Sequence, residues 1–482
     1  TRNKKSHLVN YKVRGCKIQV TLRLNSGQKS LLNLEFVVYC MFLGYNLPNY
    51  NMIESKGALL GRPESDLSGA RKVVVTGMGM VSPLGHDVES SWGRLIKGES
   101  NLTSITFADI NASVFGAITD YDSAVVLGRL MKPKEIKKIP RVSEFSTGAT
   151  LEALTQAGLL NDDQQLIEVI DPERVGVVIG SGYGAASNIA AVDHAMRSGE
   201  KIYPSDILRS LVERVSTVPS MAFGLQGPLL TPSAACATGN VSIITGIEKI
   251  LLGQADIMIV GGAEASLIPP AIKAFDALGA LSRESDPTKA SRPFDKSRDG
   301  FVYGEGAGVL VVETEESAVR RGAEILAYLV GYGQVSDARH ATDPDGAKQI
   351  RTIEKATEGI RFPMTGTIYV NAHGTATPAG DPIELNSIRH AVADHTDTVV
   401  SSTKGATGHT LGAAGAIEAI FCVKALSTGI VPPTVHHDDP IEEAGGIDLV
   451  PNKAQRHSPV IAINNSFGFG GINSTVTLYK AH

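Results

Sequence analysis

The sequence predicts an α/β protein built on largely parallel sheets, and three observations carry that prediction. Short runs rich in β-branched residues and ending in glycine recur at 72–79, 175–179, 257–260, 308–313, 325–331, 367–371 and 460–463. Helical stretches separate several of them, at 146–157, 241–252 and 413–426. The run ending at Tyr332-Gly333 echoes the one ending at Met78-Gly79, which suggests two related halves meeting near residue 320.

Fifty glycines in 482 residues fit a fold with many tight turns and close backbone contacts. The length suits about three domain-sized units and a core that needs no metal or disulfide staple. A net charge of −5 excludes a globally basic nucleic-acid binder. Cys16, Cys40, Cys236 and Cys422 are widely spaced, against a disulfide scaffold or zinc ribbon and for a reducing compartment. The nearest approach to a membrane span is read at 31–43, broken by Asn33 and Glu35 and short of the roughly 18 apolar residues needed.

Residues 1–34 carry Arg2, Lys4, Lys5, Lys12, Arg14, Lys17, Arg23 and Lys29 and no acid. This is the composition of an organelle transit peptide, with a disordered extension as the other reading. Residues 44–70, rich in glycine and proline, read as a linker.

Four clusters carry chemistry. Cys236 precedes the helix at 241–252, where free N–H groups and the helix dipole favour thiolate. Its small neighbours Ala234, Ala235, Ala237 and Gly239 leave room for a carbonyl; an inert core cysteine is the alternative. His373 leaves the carboxyl end of a strand, where ligands gather in α/β folds, or is a loop histidine bonded to backbone. Asp381 and Glu384 open the following helix, in capping and bracing roles. Lys404 and His409 bracket a glycine-rich turn and are expected to point at one pocket, or else are solvated. No Gly-Lys-Ser/Thr follows, which weakens a phosphate-loop reading. Phe467 and Phe469 lie between glycines after a buried strand, in a loop whose N–H groups suit an oxyanion or whose rings plug the core. Together these residues make a thiol acyl-transfer set.

In the order and spacing of 292–301, 373–378, 404–409 and 465–471, residues 71–482 resemble the β-ketoacyl-[acyl-carrier-protein] synthases of the Cys-His-His type. The resemblance implies a thiolase-like, five-layered αβαβα fold in two pseudo-equivalent halves. These are 71–322 with the nucleophile and 323–482 with the histidines, following a leader and linker at 1–70. It implies decarboxylative condensation of an acyl-enzyme with malonyl-acyl-carrier protein, giving β-ketoacyl product and CO2 in fatty-acid elongation. No metal and no cofactor beyond the carrier's pantetheine is implied, and the enzyme is expected to be a homodimer.

Carried over by position, Cys236 accepts the acyl group, and His373 and His409 bind the malonyl carbonyl and promote decarboxylation. Lys404 holds and polarises this arrangement, with Glu384 and Asp381 in support. The N–H groups of Cys236 and Phe469 form the oxyanion hole, and Thr375 and Thr377 contact pantetheine. Ala234 stands where a hydroxyl residue is common, and 343–367 looks short. The carrier protein is acidic, so Lys132, Lys134, Lys137, Lys138 and Arg141 are a docking surface, or simply a solvated helix start.

A thiolase would need a second cysteine in the loop occupied by 465–471, and a non-catalytic partner subunit would lack Cys236. A polyketide synthase shares all the motifs. The leader points to a mitochondrial location, with a bacterial-like cytoplasmic enzyme as the alternative. No nucleic-acid partner and no membrane span are expected.

Overall fold

The structure, a computed structural model, describes residues 6–13, 16–23, 39–40, 71–360, 362, 366–392 and 397–481. The chain divides into two compact units, Thr1–Leu60 and Gly61–His482. In the first, Ser6–Val13 pairs antiparallel with Cys16–Arg23, which pairs with Tyr39–Cys40. The remaining leader residues and the linker reading at 44–70 lie outside the described residues.

The second unit is built on ten strands. In chain order they are β1 (Val73–Val81), β2 (Val175–Gly180), β3 (Leu229–Leu230), β4 (Ile257–Glu264) and β5 (Gly306–Thr314). There follow β6 (Ala327–Ser336), β7 (Ile368–Asn371), β8 (Thr398–Ser401), β9 (Ile461–Gly468) and β10 (Ile472–Lys480). They hydrogen-bond in the order β8-β7-β9-β10-β6-β1-β5-β4-β2-β3. The β6–β1 pairing is a seam of three residues, Ala327, Tyr328 and Leu329. On either side of it lies a five-stranded set. Counted within its own half, each set runs 3-2-4-5-1, with 3/2 and 2/4 parallel and 4/5 and 5/1 antiparallel.

The glycine echo has a physical meaning. A Cβ on Gly79 would stand 1.9 Å from the Ala149 carbonyl oxygen, and one on Gly333 would stand 2.1 Å from that of Thr352. Those carbonyls belong to α1 (Arg141–Gln156) and α3 (Gly346–Thr357), the outer helices of the two halves. Bare glycine in the first strand of each set lets its helix close onto the sheet. Between the sets lie α2 (Thr238–Leu251) and α5 (Ala414–Thr428), while α4 (Gly380–Ala391) joins α3 on the outside. The layers are therefore α, β, α, β, α.

Two expectations need correction. The sheets are mixed, not largely parallel, because each set contains two antiparallel pairings. The sequence reading missed β10: it doubles back through Gly470-Gly471, and its buried Ser474, Thr475 and Thr477 mask the apolar signal of a core strand. Also, 31–43 is not the chain's nearest approach to a membrane span. Leu411–Thr428 is long and apolar enough to cross a membrane by length and composition, and 83% of it is buried in this fold. A helix apolar on every face is what packing between two sheets demands.

Candidate active site

The site forms where the N-termini of the two central helices meet the carboxyl ends of β7 and β8. Cys236 occupies a single 3₁₀ turn, Ala235–Ala237, that runs into α2. Ala235 is held at φ 48°, a left-handed conformation that costs a non-glycine residue about 1–2 kcal/mol. The Ala234 N–H donates to the Thr238 hydroxyl at 2.8 Å, so the alanine that departs from the usual pattern is still tied locally through its backbone. Gly468 allows β9 to approach this turn, since a Cβ there would stand 2.8 Å from the Ala234 carbonyl oxygen.

Glu384, at the start of α4, shapes the His373 loop. Its carboxylate accepts the N–H groups of His373 at 2.7 Å and Gly374 at 2.6 Å. Asp381 accepts the Phe294 N–H at 2.8 Å, and Arg298 donates to the carbonyls of Thr377 and Pro378. The 292–301 motif is therefore the brace beneath the loop carrying Thr375 and Thr377. Ser402 donates to the Gly374 carbonyl at 2.6 Å, which joins that loop to the Lys404 turn. His409 is stitched to the chain before β5: its N–H donates to Val302 at 2.7 Å, and its carbonyl accepts from Gly304 at 2.9 Å.

These supports bring Cys236, His373 and His409 together, with one ligating atom from each all within 4.8 Å of one another. The imidazoles meet edge to face at 5.2 Å, and His409 rests against Phe301 at 5.3 Å. Nδ1 of His373 and both ring nitrogens of His409 have no hydrogen-bond partner among the described residues. A cavity of about 340 Å³ opens onto all three side chains and onto Phe469, Thr375 and Thr377.

Electrostatics define the resting state. Burial, the nearby Lys404 charge and His409 hold His373 well below the ordinary histidine range. Burial and Lys404 do the same for His409. Both rings are neutral at pH 7. Burial pushes the Cys236 thiol up to about 11, against the opposing pull of the Phe469 N–H, Lys404 and its own N–H. The expected thiolate is thus corrected to a resting thiol, because desolvation outweighs the helix terminus. The backbone N–H groups of Phe469 and Cys236 both favour negative charge on the sulfur. Cys236, His373 and His409 are also ligand types that suit a zinc-class ion.

Lys404 departs from its expected placement. It is buried, does not line the cavity, and its ammonium is bonded to the Glu418 carboxylate of α5. Glu418 is a residue the sequence reading missed. Its signal is a lone carboxylate in an otherwise apolar helix segment, which has to find a partner.

Residues 70–318 match the N-terminal domain of the β-ketoacyl synthases, and residues 326–438 match their C-terminal domain. The chain belongs to the β-ketoacyl synthase family. It is 42% identical over 420 residues to 3-oxoacyl-[acyl-carrier-protein] synthase 2 of Vibrio harveyi, covering 85% of this chain and 99% of the relative. It is 39% identical over 435 residues to the mitochondrial 3-oxoacyl-[acyl-carrier-protein] synthase of Arabidopsis thaliana, covering 84% and 92%. A ketosynthase solved with its type II polyketide acyl-carrier protein superposes with a TM-score of 0.76 at 30% identity, over 86% of this chain and all of the other.

On this synthase the basic run splits in two. Lys132, Lys134, Lys137 and Lys138 are exposed around the short helix Pro133–Ile136. Arg141 instead donates to the Ile118 carbonyl at 2.6 Å and lies 4.6 Å over the Phe145 ring. It is half-buried, so part of its side chain serves the fold and the rest stays on the surface. The helix predicted from 146 begins at Arg141.

Proposed function

We propose that Cys236, His373 and His409 carry out the decarboxylative Claisen condensation by which this β-ketoacyl synthase elongates acyl chains. The observation that supports these roles is the meeting of the three side chains within 4.8 Å, beside backbone N–H groups that favour charge on the sulfur.

In the first half-reaction the Cys236 sulfur attacks the carbonyl of an acyl-carrier thioester. A new S–C bond forms, the old one breaks, and the thiol proton passes by way of an imidazole to the departing pantetheine thiol. The tetrahedral oxyanion lies between the N–H groups of Cys236 and Phe469; losing one such donor typically costs about 3–4 kcal/mol in the barrier. In the second half-reaction the neutral rings of His373 and His409 donate to the malonyl thioester oxygen. The bond to the carboxylate breaks, CO2 leaves, and its electron pair becomes an enolate. The enolate carbon attacks the acyl carbonyl, the S–C bond breaks, and Cys236 regains a proton. Atoms balance as acyl-enzyme, malonyl-carrier and one proton giving β-ketoacyl-carrier, CO2 and free enzyme.

Burial keeps both imidazoles neutral, and the charge of Lys404 adds to it. Thr375 and Thr377 line the cavity as pantetheine contacts, while Glu384 and Asp381 hold the loop. The scheme uses no metal and no cofactor beyond carrier-bound pantetheine. The repeated strand order supports assigning 71–322 to the half with the nucleophile and 323–482 to the half with the histidines.

The partner is an acyl-carrier protein, in keeping with the names of both relatives and with the carrier complex of the structural neighbour. Those relatives also favour fatty-acid over polyketide synthesis. The acid-free leader and the mitochondrial relative favour a mitochondrial location; a reporter carrying residues 1–70 that stays cytosolic would overturn this. The test of mechanism is Cys236→Gln, which should abolish condensation while malonyl decarboxylation persists or rises. Elongation by that variant would remove Cys236 from its role.

A further inference from the structure

One buried carboxylate beside the site has no part in the chemistry above. Glu264 ends β4 and is fully buried. Its carboxylate accepts the N–H groups of Gly182 at 2.9 Å, Tyr183 at 3.2 Å and Gly412 at 3.2 Å. It also accepts the hydroxyls of Ser266 at 2.8 Å and Ser181 at 3.3 Å. Five donors on one carboxylate are far more than a strand end requires. Ser266 is local, but the other four come from two places that the sequence holds apart, the turn after β2 and the turn before α5.

Both turns border the sulfur. Gly412 lies three residues past His409, in a 3₁₀ turn packed against the Cys236 turn. Its neighbour Leu411 shares one apolar cluster with Cys236, Phe275 and Phe301. Tyr183 packs edge-on against Phe275 at 6.0 Å. A Cβ on Gly412 would stand 2.4 Å from the Gly182 nitrogen, so only bare backbone lets the two turns meet over the carboxylate.

We propose that Glu264 is a positioning residue for Cys236: it clamps the 181–184 turn to the Gly412 turn and so fixes the apolar wall against which the acyl group on the sulfur is seated. This rests on Cys236 being the nucleophile. The titratable groups facing Cys236 are Glu264, Lys404, His373, His409 and Tyr183, and those facing Glu264 are Cys236, Tyr183 and Tyr303. Burial holds the Glu264 carboxyl up to about 7, so above that pH its negative charge opposes loss of the Cys236 proton, while its geometry favours acyl transfer. Charge and geometry can therefore be separated by substitution.

The test follows acyl transfer to the enzyme and the pH profile of iodoacetamide alkylation at Cys236, both read by mass. Glu264→Gln keeps the shape but presents an amide N–H to donors. Acyl transfer should fall about tenfold, the size of one charge-assisted hydrogen bond. The alkylation midpoint should move to lower pH, because a facing negative charge is gone. Glu264→Asp keeps the charge but falls short in reach, so the midpoint should match wild type while acyl transfer falls. An unmoved midpoint in the Gln variant, or wild-type acyl transfer in either variant, overturns the proposal. Should the Gln variant fail to fold, the Asp variant alone decides by its acyl transfer. Activity surviving in Cys236→Ala would instead overturn the nucleophile reading, an outcome distinct from any of these.

Discussion

At the scale of the residue, reactivity depends on keeping charge out of the site until chemistry needs it. Burial pushes the Cys236 thiol up to about 11, so the sulfur rests protonated at pH 7. The sign is that of a buried acid: the neutral form is favoured, and thiolate rises about tenfold per pH unit up to about 11. Alkylation of Cys236 by iodoacetamide should accordingly still be climbing between pH 9 and 10, where an ordinary cysteine has levelled off; a plateau near 9 would contradict the burial argument. Both ring nitrogens of His409 lack a hydrogen-bond partner among the described residues, so the ring is available to a substrate oxygen. His409→Ala should lose malonyl decarboxylation yet still accept acyl label on Cys236, and normal decarboxylation would remove His409 from the second half-reaction.

At the scale of the element, the site depends on turns that are pinned from below. Glu384 grips two successive N–H groups of the His373 loop, and Lys404 ties its turn to α5 through Glu418. Removing one partner of a buried pair leaves an uncompensated charge, at a cost of about 3–5 kcal/mol. Lys404→Ala should lower the urea midpoint accordingly. Burial holds the Glu418 carboxyl up to about 7 even with Lys404 present. Without Lys404 that acid binds its proton still more readily in the folded state, so the deficit should shrink as pH falls from 8 to 6. A deficit that is constant with pH would mean that lost packing, not the orphaned carboxylate, is responsible. The turns holding the proposed catalytic residues were legible in the sequence because glycine, histidine and lysine mark them locally. Their braces were not, since Glu418 and Glu264 are fourteen and twenty-eight residues from Lys404 and Cys236 respectively and become neighbours only through packing.

At the scale of the whole molecule, two surfaces remain for partners. Lys132, Lys134, Lys137 and Lys138 stand free of the fold, and clustered surface charge steers association with an acidic partner. Reversing Lys137 and Lys138 to Glu should raise the KM for carrier-linked substrate several-fold and leave a small thioester unaffected; equal effects on both would argue against docking there. The second surface is apolar. Ile189, Ile207, Leu208, Val212 and Met221 are exposed, and β3, with exposed Leu229 and Leu230, is the last strand of the sheet. We propose that this side joins two copies. Sedimentation at micromolar concentration should give a dimer that Leu229→Lys with Ile207→Lys weakens, and a monomeric wild type would refute it.

By itself the sequence determined the alternation of strands and helices, the two-fold echo in Gly79 and Gly333, and the identities of Cys236, His373, His409 and the Phe469 loop. Each of these is written in local pattern, where side-chain period and turn chemistry act over a few residues. Folding in three dimensions was needed to show that the sheets are mixed, that Cys236 rests as a thiol, and that Lys404 pairs with Glu418 while its charge reaches both imidazoles. Those outcomes depend on how far each group is removed from water and on which distant charge is brought beside it. Desolvation and long-range pairing are properties of the folded whole.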